Sequence, residues 1–395
     1  MLEGLPGSRQ RVALVHDFLL DVRGAERVFD AMCGLFSEAD VFTAVYDERG
    51  TERRFADRHI HTSFLQRLHP TSRTFRALLP LYPYAVEAMD LGGYDLVISS
   101  SSAWAHGVIV AEDAVHVCYC HNPFRYAWNG RDATLTDHGP ATRAALGIIF
   151  QRWRQWDWIA AQRVDRYIVN SETTRRRVHR YFGRDSTIVY PPVEMDRFSP
   201  GAVGDYYMVL SELMPHKRIG IAIEAFNRMR LPLVVVGNGP EARRLRRLAG
   251  PTVRFEGRVS DEHAARLLAG ARALVVTATE EFGIAAVEAQ AAGRPVIAFA
   301  EGGVRETVQE GVTGVFYERC DPEGLIEAVS SFDPLEVDPE RCVSNAARFD
   351  VAHFRAGVRA VVAEACADQR PERDLPRRWS RRARGLGARL PLAQG

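Results

Sequence analysis

Residues 273–295 read ALVVTATEEFGIAAVEAQAAGRP, and this stretch decides the fold. Its first residues, Ala273 to Val276, form the apolar run that is typical of a buried strand. A helix is predicted over Ile284–Ala292, because Gly293 and Pro295 follow it as a helix exit. A strand that leads through a short loop into a helix is the repeating unit of parallel α/β sheets.

Two carboxylates lie eight positions apart across this junction. Glu280 follows the strand, at the carboxyl end where open parallel sheets bind ligands. Glu288 comes about two helical turns later and is predicted to face the same crevice. Between them, the backbone N–H groups of Phe282, Gly283 and Ile284 lie at a helix start, which favours an anion. Such spacing also arises by chance, but in this setting it predicts a nucleotide-sugar, whose phosphates lie between two hydroxylated ends.

Length and composition restrict the class of protein. A chain of 395 residues favours two domains, and 46% hydrophobic with 26% charged residues is typical of a soluble globular protein. A net charge of +1 disfavours a general nucleic-acid binder. The six scattered cysteines and the lack of a recognisable secretory signal indicate free thiols in a cytoplasmic setting. The run Cys118 to His121 contains metal-ligand types, but it reads as a buried strand without a second ligand pair, so zinc is disfavoured.

Strands and helices alternate in two series, which meet at Pro191-Pro192. This pattern predicts an α/β protein with two Rossmann-like domains, whose parallel sheets face each other across a cleft. The predicted parts are an amino-terminal acceptor domain (1–190), a carboxy-terminal nucleotide-sugar donor domain (191–350), a helix that packs back on the first domain (351–366) and a basic, disordered tail (367–395).

The loops that follow other strands supply further candidates. The loop after the first strand lacks the G-x-G-x-x-G fingerprint, which disfavours a nicotinamide or flavin enzyme. Gly24, at the start of the next helix, allows a ligand to approach the backbone or simply eases the loop into the helix. Lys217 and Arg218 precede the helix Ile219–Met229, where they can neutralise a diphosphate or remain solvated.

Two more strand ends carry polar or flexible groups. Gly257, Arg258 and Val259 lie on the same sheet edge as Glu280 and are candidates for contacts with a base, or an ordinary connection. In the first domain, His121 and Arg125 lie among aromatic residues at a strand end. Aromatic faces stack on sugar rings, and histidine or arginine binds hydroxyl or phosphate oxygens. This segment is therefore a candidate sugar or acceptor site.

Together these residues resemble glycosyltransferase family 4, the retaining enzymes with the GT-B fold. The similarity covers about residues 10–366 and is most specific over 280–296, continuing through 302–308 and 311–314. Further segments look like a branch of mannosyltransferases for surface polysaccharides, namely residues 15–17, 119–123 and 189–193.

The resemblance implies a role for each matched position. Glu288 would bind the ribose of the donor, and Glu280 would contact the sugar that is transferred. The backbone of residues 282–284 would hold sugar and phosphate, Lys217 the diphosphate, and residues 257–259 the base. His121 would reach the donor sugar across the cleft. The family works without a bound metal or other cofactor, and no D-x-D pair occurs here.

The chain departs from the family pattern at two places. Glu212 stands where an arginine usually precedes the phosphate-binding lysine by five positions. We expect Glu212 to turn away or pair with Lys217 or Arg218, and Arg218 to substitute for the missing arginine. Gly24-Ala25 replaces the more common Gly-Gly pair, and the extra methyl group is expected to narrow the donor space.

The implied reaction is retaining transfer of a hexose, with mannose from GDP-mannose as the first candidate, to a hydroxyl of a glycan or a polyprenyl- or other lipid-linked acceptor. Residues 64–68 and 75–84 mix aromatics, leucines and arginines, and Arg175–Arg177 adds a basic cluster. These stretches favour peripheral contact with an anionic membrane at its cytoplasmic face, or they are core leucines with solvated arginines.

Two alternatives remain at this point. A nucleotide-sugar 2-epimerase shares the architecture and would need no acceptor. A non-catalytic nucleotide-sugar-binding subunit would bind a donor without turnover, with Glu212 as the damaged position.

Overall fold

The computed structural model describes residues 10–368, apart from residues 73 and 137. Most of the predicted tail, from residue 369 to 395, lies outside the described residues. The strands are β1 Val12–His16, β2 Asp40–Thr43, β3 Ile60–Thr62, β4 Leu96–Ser101, β5 Val115–Cys120, β6 Arg166–Val169, β7 Ser186–Ile188, β8 Tyr207–Leu210, β9 Leu233–Val236, β10 Val253–Gly257, β11 Leu274–Val276, β12 Val296–Phe299 and β13 Gly314–Tyr317.

The helices connect these strands and cover both sheets. They are α1 Gly24–Leu35, α2 Tyr82–Glu87, α3 Arg131–Thr136, α4 Pro140–Ala161, α5 Glu172–Phe182, α6 Ile219–Met229, α7 Ala242–Leu248, α8 Asp261–Gly270, α9 Ile284–Ala291, α10 Val304–Thr307, α11 Pro322–Ser331, α12 Pro339–Ala346 and α13 Val351–Asp368. Among the described residues, no helix is both long and apolar enough to cross a bilayer.

The strands form two separate parallel sheets. The first has the order β3-β2-β1-β4-β5-β6-β7 and the second the order β10-β9-β8-β11-β12-β13. This arrangement confirms the predicted α/β fold with two Rossmann-like units. In each sheet the strand order reverses beside the first strand, between β1 and β4 and between β8 and β11. Open α/β sheets bind ligands in the crevice outside such a reversal.

Apolar side chains cover both faces of the first sheet, as near-continuous apolar strands require. Every residue of β4 and β5 is buried. Side chains of α1 and α13 pack on one face, and side chains of α2 and α4 pack on the other. The strands are therefore held rigidly, and the loops at their carboxyl ends project from a fixed frame.

Helix α13 follows the second series of strands but packs in the core of the first. Phe354 lies edge-on to Tyr119 of β5, with ring centroids 5.8 Å apart. Val358 is fully buried in the same cluster. Gly357 passes so close to Val189 that a Cβ atom would lie 2.8 Å from its Cγ1. Helix α13 thus ties the two series together.

Some details differ from the sequence-based expectation. The short strands β3 and β7 have only three residues and one strongly apolar residue each, so their sequences give no strand pattern. Helix α1 begins at Gly24, as expected, whereas α10 after β12 has only four residues. All six cysteines lie within the described residues, and no disulfide bond joins any two of them.

Candidate active site

A cleft of about 1520 Å³ runs between the carboxyl ends of the two sheets, and residues of both units line it. The topology explains this position, because the loops after all parallel strands of one sheet emerge at one edge. Most of the predicted site residues line the cleft, namely Gly24, His121, Lys217, Arg258, Val259, Glu280, Phe282, Gly283, Ile284 and Glu288.

Lys217 and Glu280 meet in this cleft. The Nζ atom of Lys217 donates to both carboxylate oxygens of Glu280, at 2.8 and 2.6 Å. Lys217 ends a 3₁₀ turn after β8, and its carbonyl accepts a 2.7 Å hydrogen bond from Thr277 Oγ1. Lys217 is the only lysine in the sequence, so every other cation of the cleft is an arginine or a histidine. The pair places the ammonium group of Lys217, which was predicted to hold the diphosphate, beside the carboxylate of Glu280.

Glycines allow the loop between β11 and α9 to adopt its path. Gly283 has φ +92° and caps α9, a backbone that a side chain would strain. Gly302, with φ +88°, lies so close to Glu280 that a Cβ atom would be 2.2 Å from its carbonyl oxygen. Gly303 N–H donates to that same oxygen at 2.8 Å. The glycine pair therefore holds the backbone of Glu280 in place from the neighbouring loop.

Glu288 is the fifth residue of α9 and lies in the wall of the cleft. Burial raises the pKa of Glu288, and the nearby guanidinium groups of Arg27 and Arg197 only partly oppose this shift. Arg197 Nη1 lies 3.8 Å from Glu288 Oε1. The carboxyl group is thus a mostly shielded hydrogen-bonding group with arginines at its side.

Asp261, at the start of α8, gathers three arginines beside Glu288. Arg27 Nη2 donates to it at 2.5 Å and Arg54 Nη2 at 3.1 Å, and Arg197 Nη2 lies 3.5 Å away. Burial alone would raise the pKa of Asp261, but these guanidiniums, Arg27 foremost, lower it below the ordinary value. Since Arg27 and Arg54 come from the first unit, this cluster bridges the cleft.

His121 belongs to a buried chain of polar groups. Its Nε2 lies 2.9 Å from Ser100 Oγ, and the same hydroxyl lies 3.1 Å from His16 Nδ1. His16 Nε2 in turn lies 3.6 Å from Glu26 Oε1. Burial, with His16 nearby, lowers the pKa of His121 to about 3. At neutral pH His121 is therefore an uncharged hydrogen-bonding group.

Asp17 supports the neighbouring loop. Its buried carboxylate accepts four backbone hydrogen bonds, from the N–H groups of residues 102–105, at 2.6 to 3.1 Å. A buried carboxylate needs such compensation. The Val15-His16-Asp17 segment thus supplies one residue to the polar chain of His121 and one to the loop after β4, where Ser102 lines the cleft.

Glu281 links the second unit to two arginines of the first. Arg125 Nη2 lies 2.7 Å and Arg177 Nη1 lies 3.1 Å from Glu281 Oε1. Arg177 also donates to Asn122 Oδ1 at 2.7 Å. Burial alone would raise the pKa of Glu281, but Arg125 and then Arg177 lower it below the ordinary value. Arg125, a candidate for sugar or acceptor binding, therefore has its guanidinium engaged by Glu281.

The expected partners of Glu212 were wrong. Glu212 pairs across the cleft with Arg23, whose Nη1 lies 3.2 Å from the carboxylate, and not with Lys217 or Arg218. Arg218 has a left-handed backbone with φ 52° before α6, and its Nη1 lies 2.9 Å from Cys320 Sγ. Arg218 is exposed and lies outside the cleft lining, so its substitution for the missing arginine stays a prediction.

Two other predicted positions have specific neighbours. Gly257 does not line the cleft; it ends β10, and its carbonyl accepts a 2.8 Å hydrogen bond from Gly237 N–H. Arg258 reaches across to Asp21 and Glu52, at 3.3 and 2.9 Å.

Gly24 and Ile284 face each other directly. A Cβ atom on Gly24 would lie 3.1 Å from Ile284 Cδ1. The side chain of Phe282 packs against Tyr190 and Phe349, and the centroid of its ring lies 5.6 and 5.4 Å from theirs, respectively. These contacts anchor the loop between β11 and α9. Phe282 thus has a packing role besides the backbone role that was predicted for it.

The sequence did not reveal the arginines and acids that bridge the cleft. They are Arg23, Arg27, Asp261 and Glu281. Each lies near a helix start or a strand end, but ion pairs between residues up to 234 positions apart leave no local pattern. Only their position at carboxyl-end loops could have marked them as candidates.

Comparison with known proteins agrees with this geometry. The model for "Glycosyltransferase Family 4" matches residues 22–197, and the model for "Glycosyl transferases group 1" matches residues 196–349. The D-inositol 3-phosphate glycosyltransferase of Mycobacterium tuberculosis (strain ATCC 25177 / H37Ra) is 30% identical over 346 residues, covering 75% of this chain and 70% of that protein.

Solved structures share the architecture. Sucrose-phosphate synthase from Thermosynechococcus elongatus superposes with a TM-score of 0.70 at 19% identity, over 91% of this chain and 100% of that one. HepE from Anabaena in complex with UDP-glucose superposes with a TM-score of 0.65 at 17% identity, over 89% of this chain and 99% of that one. With its two sheets and its cleft, this chain belongs to glycosyltransferase family 4 and is a glycosyltransferase.

Proposed function

We propose that the enzyme transfers a hexose from a nucleotide-sugar to an acceptor hydroxyl, with retention of the anomeric configuration. The observation that carries this proposal is the Lys217–Glu280 pair, which lies just before α9 with Glu288 partly buried in the same cleft. A diphosphate needs a cation and helix N–H groups, and a sugar and a ribose need acids at either end. All of these groups occur here in one place.

In this proposal the donor diphosphate binds between Lys217 and the backbone of residues 282–284. Lys217 then exchanges a carboxylate oxygen of Glu280 for a phosphate oxygen, which frees Glu280 to accept hydrogen bonds from the sugar hydroxyls. Glu288 accepts from the ribose, and the loop that contains Arg258 and Val259 borders the base. Lys217 and the helix start provide the charge that stabilises the leaving diphosphate, so we expect no metal or other cofactor in the transfer.

His121 approaches the donor sugar from the opposite wall. Because its Nε2 is bonded to Ser100, the other ring nitrogen is the one that is offered to a ligand. An uncharged ring suits a hydroxyl and does not repel the positive charge that develops on the sugar. Glu280 acts as an orienting group for the sugar, while the leaving diphosphate accepts the proton of the acceptor hydroxyl on the same face.

For the donor we propose mannose from GDP-mannose first, with UDP-hexoses next. GDP-mannose rests on the similarity of three segments to mannosyltransferases of surface polysaccharide synthesis. UDP-hexoses are supported by HepE, whose structure was solved with UDP-glucose. A thermal-shift panel of nucleotide-sugars tests both, because a ligand of the native state raises the melting temperature.

For the acceptor we propose a glycan or a lipid-linked glycan at an anionic membrane surface. Exposed apolar side chains concentrate in the first unit, at Phe64, Leu68, Leu81 and Tyr84, next to the cationic Arg67. Such a mixture favours the interface of an anionic bilayer. Co-sedimentation with vesicles of phosphatidylglycerol against vesicles of phosphatidylcholine tests this step, and equal binding to both would remove it.

A phosphorylated polyol is a second candidate acceptor. Several similar proteins are named D-inositol 3-phosphate glycosyltransferase, and they align with most of this chain. Arg76, which stacks on Phe75, lines the cleft on the acceptor side together with Ser72. Transfer assays with inositol 3-phosphate and with extracts of lipid-linked glycans, each with the bound donor, distinguish the two acceptors.

The central test of this function is transfer itself. Lys217→Ala is expected to slow transfer, and Glu288→Ala is expected to weaken donor binding. If both variants kept wild-type rates with every donor that binds, the site would be wrongly assigned. Product formation from the donor alone, by inversion of configuration at C2 of the sugar, would instead indicate a 2-epimerase. Binding without any product would indicate a non-catalytic subunit.

A further inference from the structure

Three potential metal ligands lie at the edge of the first sheet, away from the cleft. Asp40 begins β2, His59 directly precedes β3, and His61 lies within it. One ligand atom from each residue lies within 4.8 Å of the other two. Among the described residues, no other group of three or more histidines, cysteines and acidic residues brings its ligand atoms this close together. Nothing in the transfer reaction makes use of it.

The strand geometry explains why these side chains converge. Strands β2 and β3 are parallel neighbours, with Val41 opposite Ile60, and Val41 N–H donates to His59 carbonyl at 3.0 Å. Since successive side chains alternate across a strand, His59 and His61 point to the same face. Asp40 precedes Val41 and lies beside them. Ile60, between the two histidines, packs with the core cluster of the opposite face.

Neighbouring side chains hold the three groups in position. Asp40 Oδ1 lies 3.0 Å from His59 Nδ1, while Asp40 Oδ2 accepts a 2.6 Å hydrogen bond from the Tyr94 hydroxyl. The ring of His61 stacks on Phe42 with centroids 4.5 Å apart and planes at 15°. A ligand whose orientation is fixed by a second hydrogen bond or by packing binds a metal more tightly than a free one.

The local charges also suit a cation. Asp40 supplies the carboxylate of the group, and its two oxygens are oriented by His59 and by the Tyr94 hydroxyl. Arg11 is the opposing charge; its Nη2 lies 3.9 Å from Asp40 Oδ2, and its guanidinium lies over the Tyr94 ring at 4.6 Å. The side chain of Arg11 is 59% exposed, so it can move away into solvent.

The ligand types select the metal. Two imidazoles and one carboxylate suit zinc, whose bonds of about 2.0–2.2 Å hold tetrahedral ligands roughly 3.4 Å apart. Small side-chain adjustments reach this spacing from the observed arrangement. Three protein ligands leave one position for water. Magnesium prefers six oxygen ligands and is therefore a poor fit.

We propose that Asp40, His59 and His61 form a zinc-binding site that is separate from the transferase cleft. Because all strands of the sheet are parallel, Asp40 at the amino end of β2 lies at the edge opposite to the cleft. The bound ion joins β3, a three-residue edge strand, to β2. Its effect is on the stability of this edge, not on the chemistry of transfer.

Isothermal titration calorimetry of the full chain with zinc chloride tests the proposal. We expect micromolar binding, no binding of magnesium chloride, and a melting temperature that rises with the zinc concentration. His59→Ala combined with His61→Ala is expected to weaken zinc binding at least tenfold. Asp40→Asn, which keeps the shape of the side chain, is expected to weaken it at least tenfold as well.

His353→Ala is the matched control, since His353 is exposed and contacts Asp350 at 2.7 Å elsewhere on the surface. It should leave zinc binding unchanged. The transfer rate should be unchanged in all of these variants, because none of the altered residues lines the cleft. The proposal is overturned if zinc binding is absent, or if the two edge variants bind zinc as tightly as the His353 control. In the second case the ligands lie elsewhere, and loss of the signal after cysteine alkylation would identify them as cysteines.

Discussion

The guanidinium of Arg23 lies 3.2 Å from the carboxylate of Glu212, and the two residues face each other from opposite sides of the cleft. Arg23 also donates to Asp21 at 3.0 Å, and Asp21 in turn accepts from Arg258 at 3.3 Å. Arg258 then pairs with Glu52. Glu212 is therefore one end of a chain of alternating charges that crosses the cleft three times, which gives this acid a structural role.

Reversal of this pair should distinguish a bridging role from a damaged phosphate site. We expect Glu212→Arg alone to lower kcat/KM, because the new arginine would face the like charge of Arg23. The double variant Arg23→Glu with Glu212→Arg should restore much of the loss. The side chains are 39% and 34% exposed, so the coupling should be about 0.5–1 kcal/mol, or two- to fivefold in kcat/KM. A double-mutant cycle measures it. A large gain of activity in Glu212→Arg alone would show that the acid impairs the donor site.

The close contact between Gly24 and Ile284 gives a second prediction. Gly24→Ala adds a methyl group 3.1 Å from Ile284 Cδ1, so the two walls of the cleft must move apart by a few tenths of an ångström. We expect a loss of about 1 kcal/mol in transition-state stabilisation, roughly fivefold in kcat/KM. Ile284→Val removes the opposing methyl group and should restore most of the rate in the double variant. Equal losses in Gly24→Ala with and without Ile284→Val would contradict the cross-cleft contact.

Glu288 is expected to determine donor affinity more than turnover. Glu288→Gln keeps the shape of a mostly shielded side chain but makes it a weaker acceptor for ribose hydroxyls. We expect the Kd of the nucleoside diphosphate to rise about tenfold, equivalent to about 1.4 kcal/mol. Calorimetric titration with the diphosphate measures this effect. Glu310→Gln, at an exposed glutamate outside the cleft, is the control and should bind as the wild type does.

The buried histidines predict a loss of stability in acid. Burial lowers the pKa of His116 and of His121 to about 3 in the folded chain, compared with about 6.5 in an unfolded one. Between these two values the unfolded chain binds the additional protons, so stability falls as the pH falls below 6.5. Each histidine should account for about 1.4 kcal/mol of the difference in unfolding free energy between pH 7.5 and pH 5.5.

His116→Gln isolates one of these contributions, because His116 does not line the cleft and its partner Ser99 can also bond to an amide. Urea unfolding at the two pH values should show a pH dependence smaller by about 1.4 kcal/mol in the variant. His353→Ala, at an exposed histidine, is the control. If His116→Gln and the wild type lose the same stability on acidification, His116 is not the group that takes up the proton.

Much of the fold could be predicted because the apolar strands are nearly continuous and the helices have clear exits. The segment from Ala273 to Pro295 shows both features, and the structure has β11 and α9 there. Strand β3 could not be predicted from Ile60, His61 and Thr62, because three residues at a sheet edge show no periodicity.

The site could be predicted only in part, for a related reason. Lys217, Glu280 and Glu288 follow strands or begin helices, and the parallel topology alone brings such positions to one edge. The pairing of Arg23 with Glu212 depends on how far apart the two units lie, which no local spacing records. The same holds for Glu281 and its arginines.

Lys217 offers the most direct test of the donor site, because it is the only lysine in the chain. An amine-acylating reagent can modify only this side chain and the amino terminus, and mass spectrometry can follow the modification of each separately. With a nucleotide-sugar that raises the melting temperature, the account predicts that acylation of Lys217 slows at least tenfold, while acylation of the amino terminus keeps its rate. An unchanged rate at Lys217 under saturating donor would contradict the assignment of this cleft as the donor site.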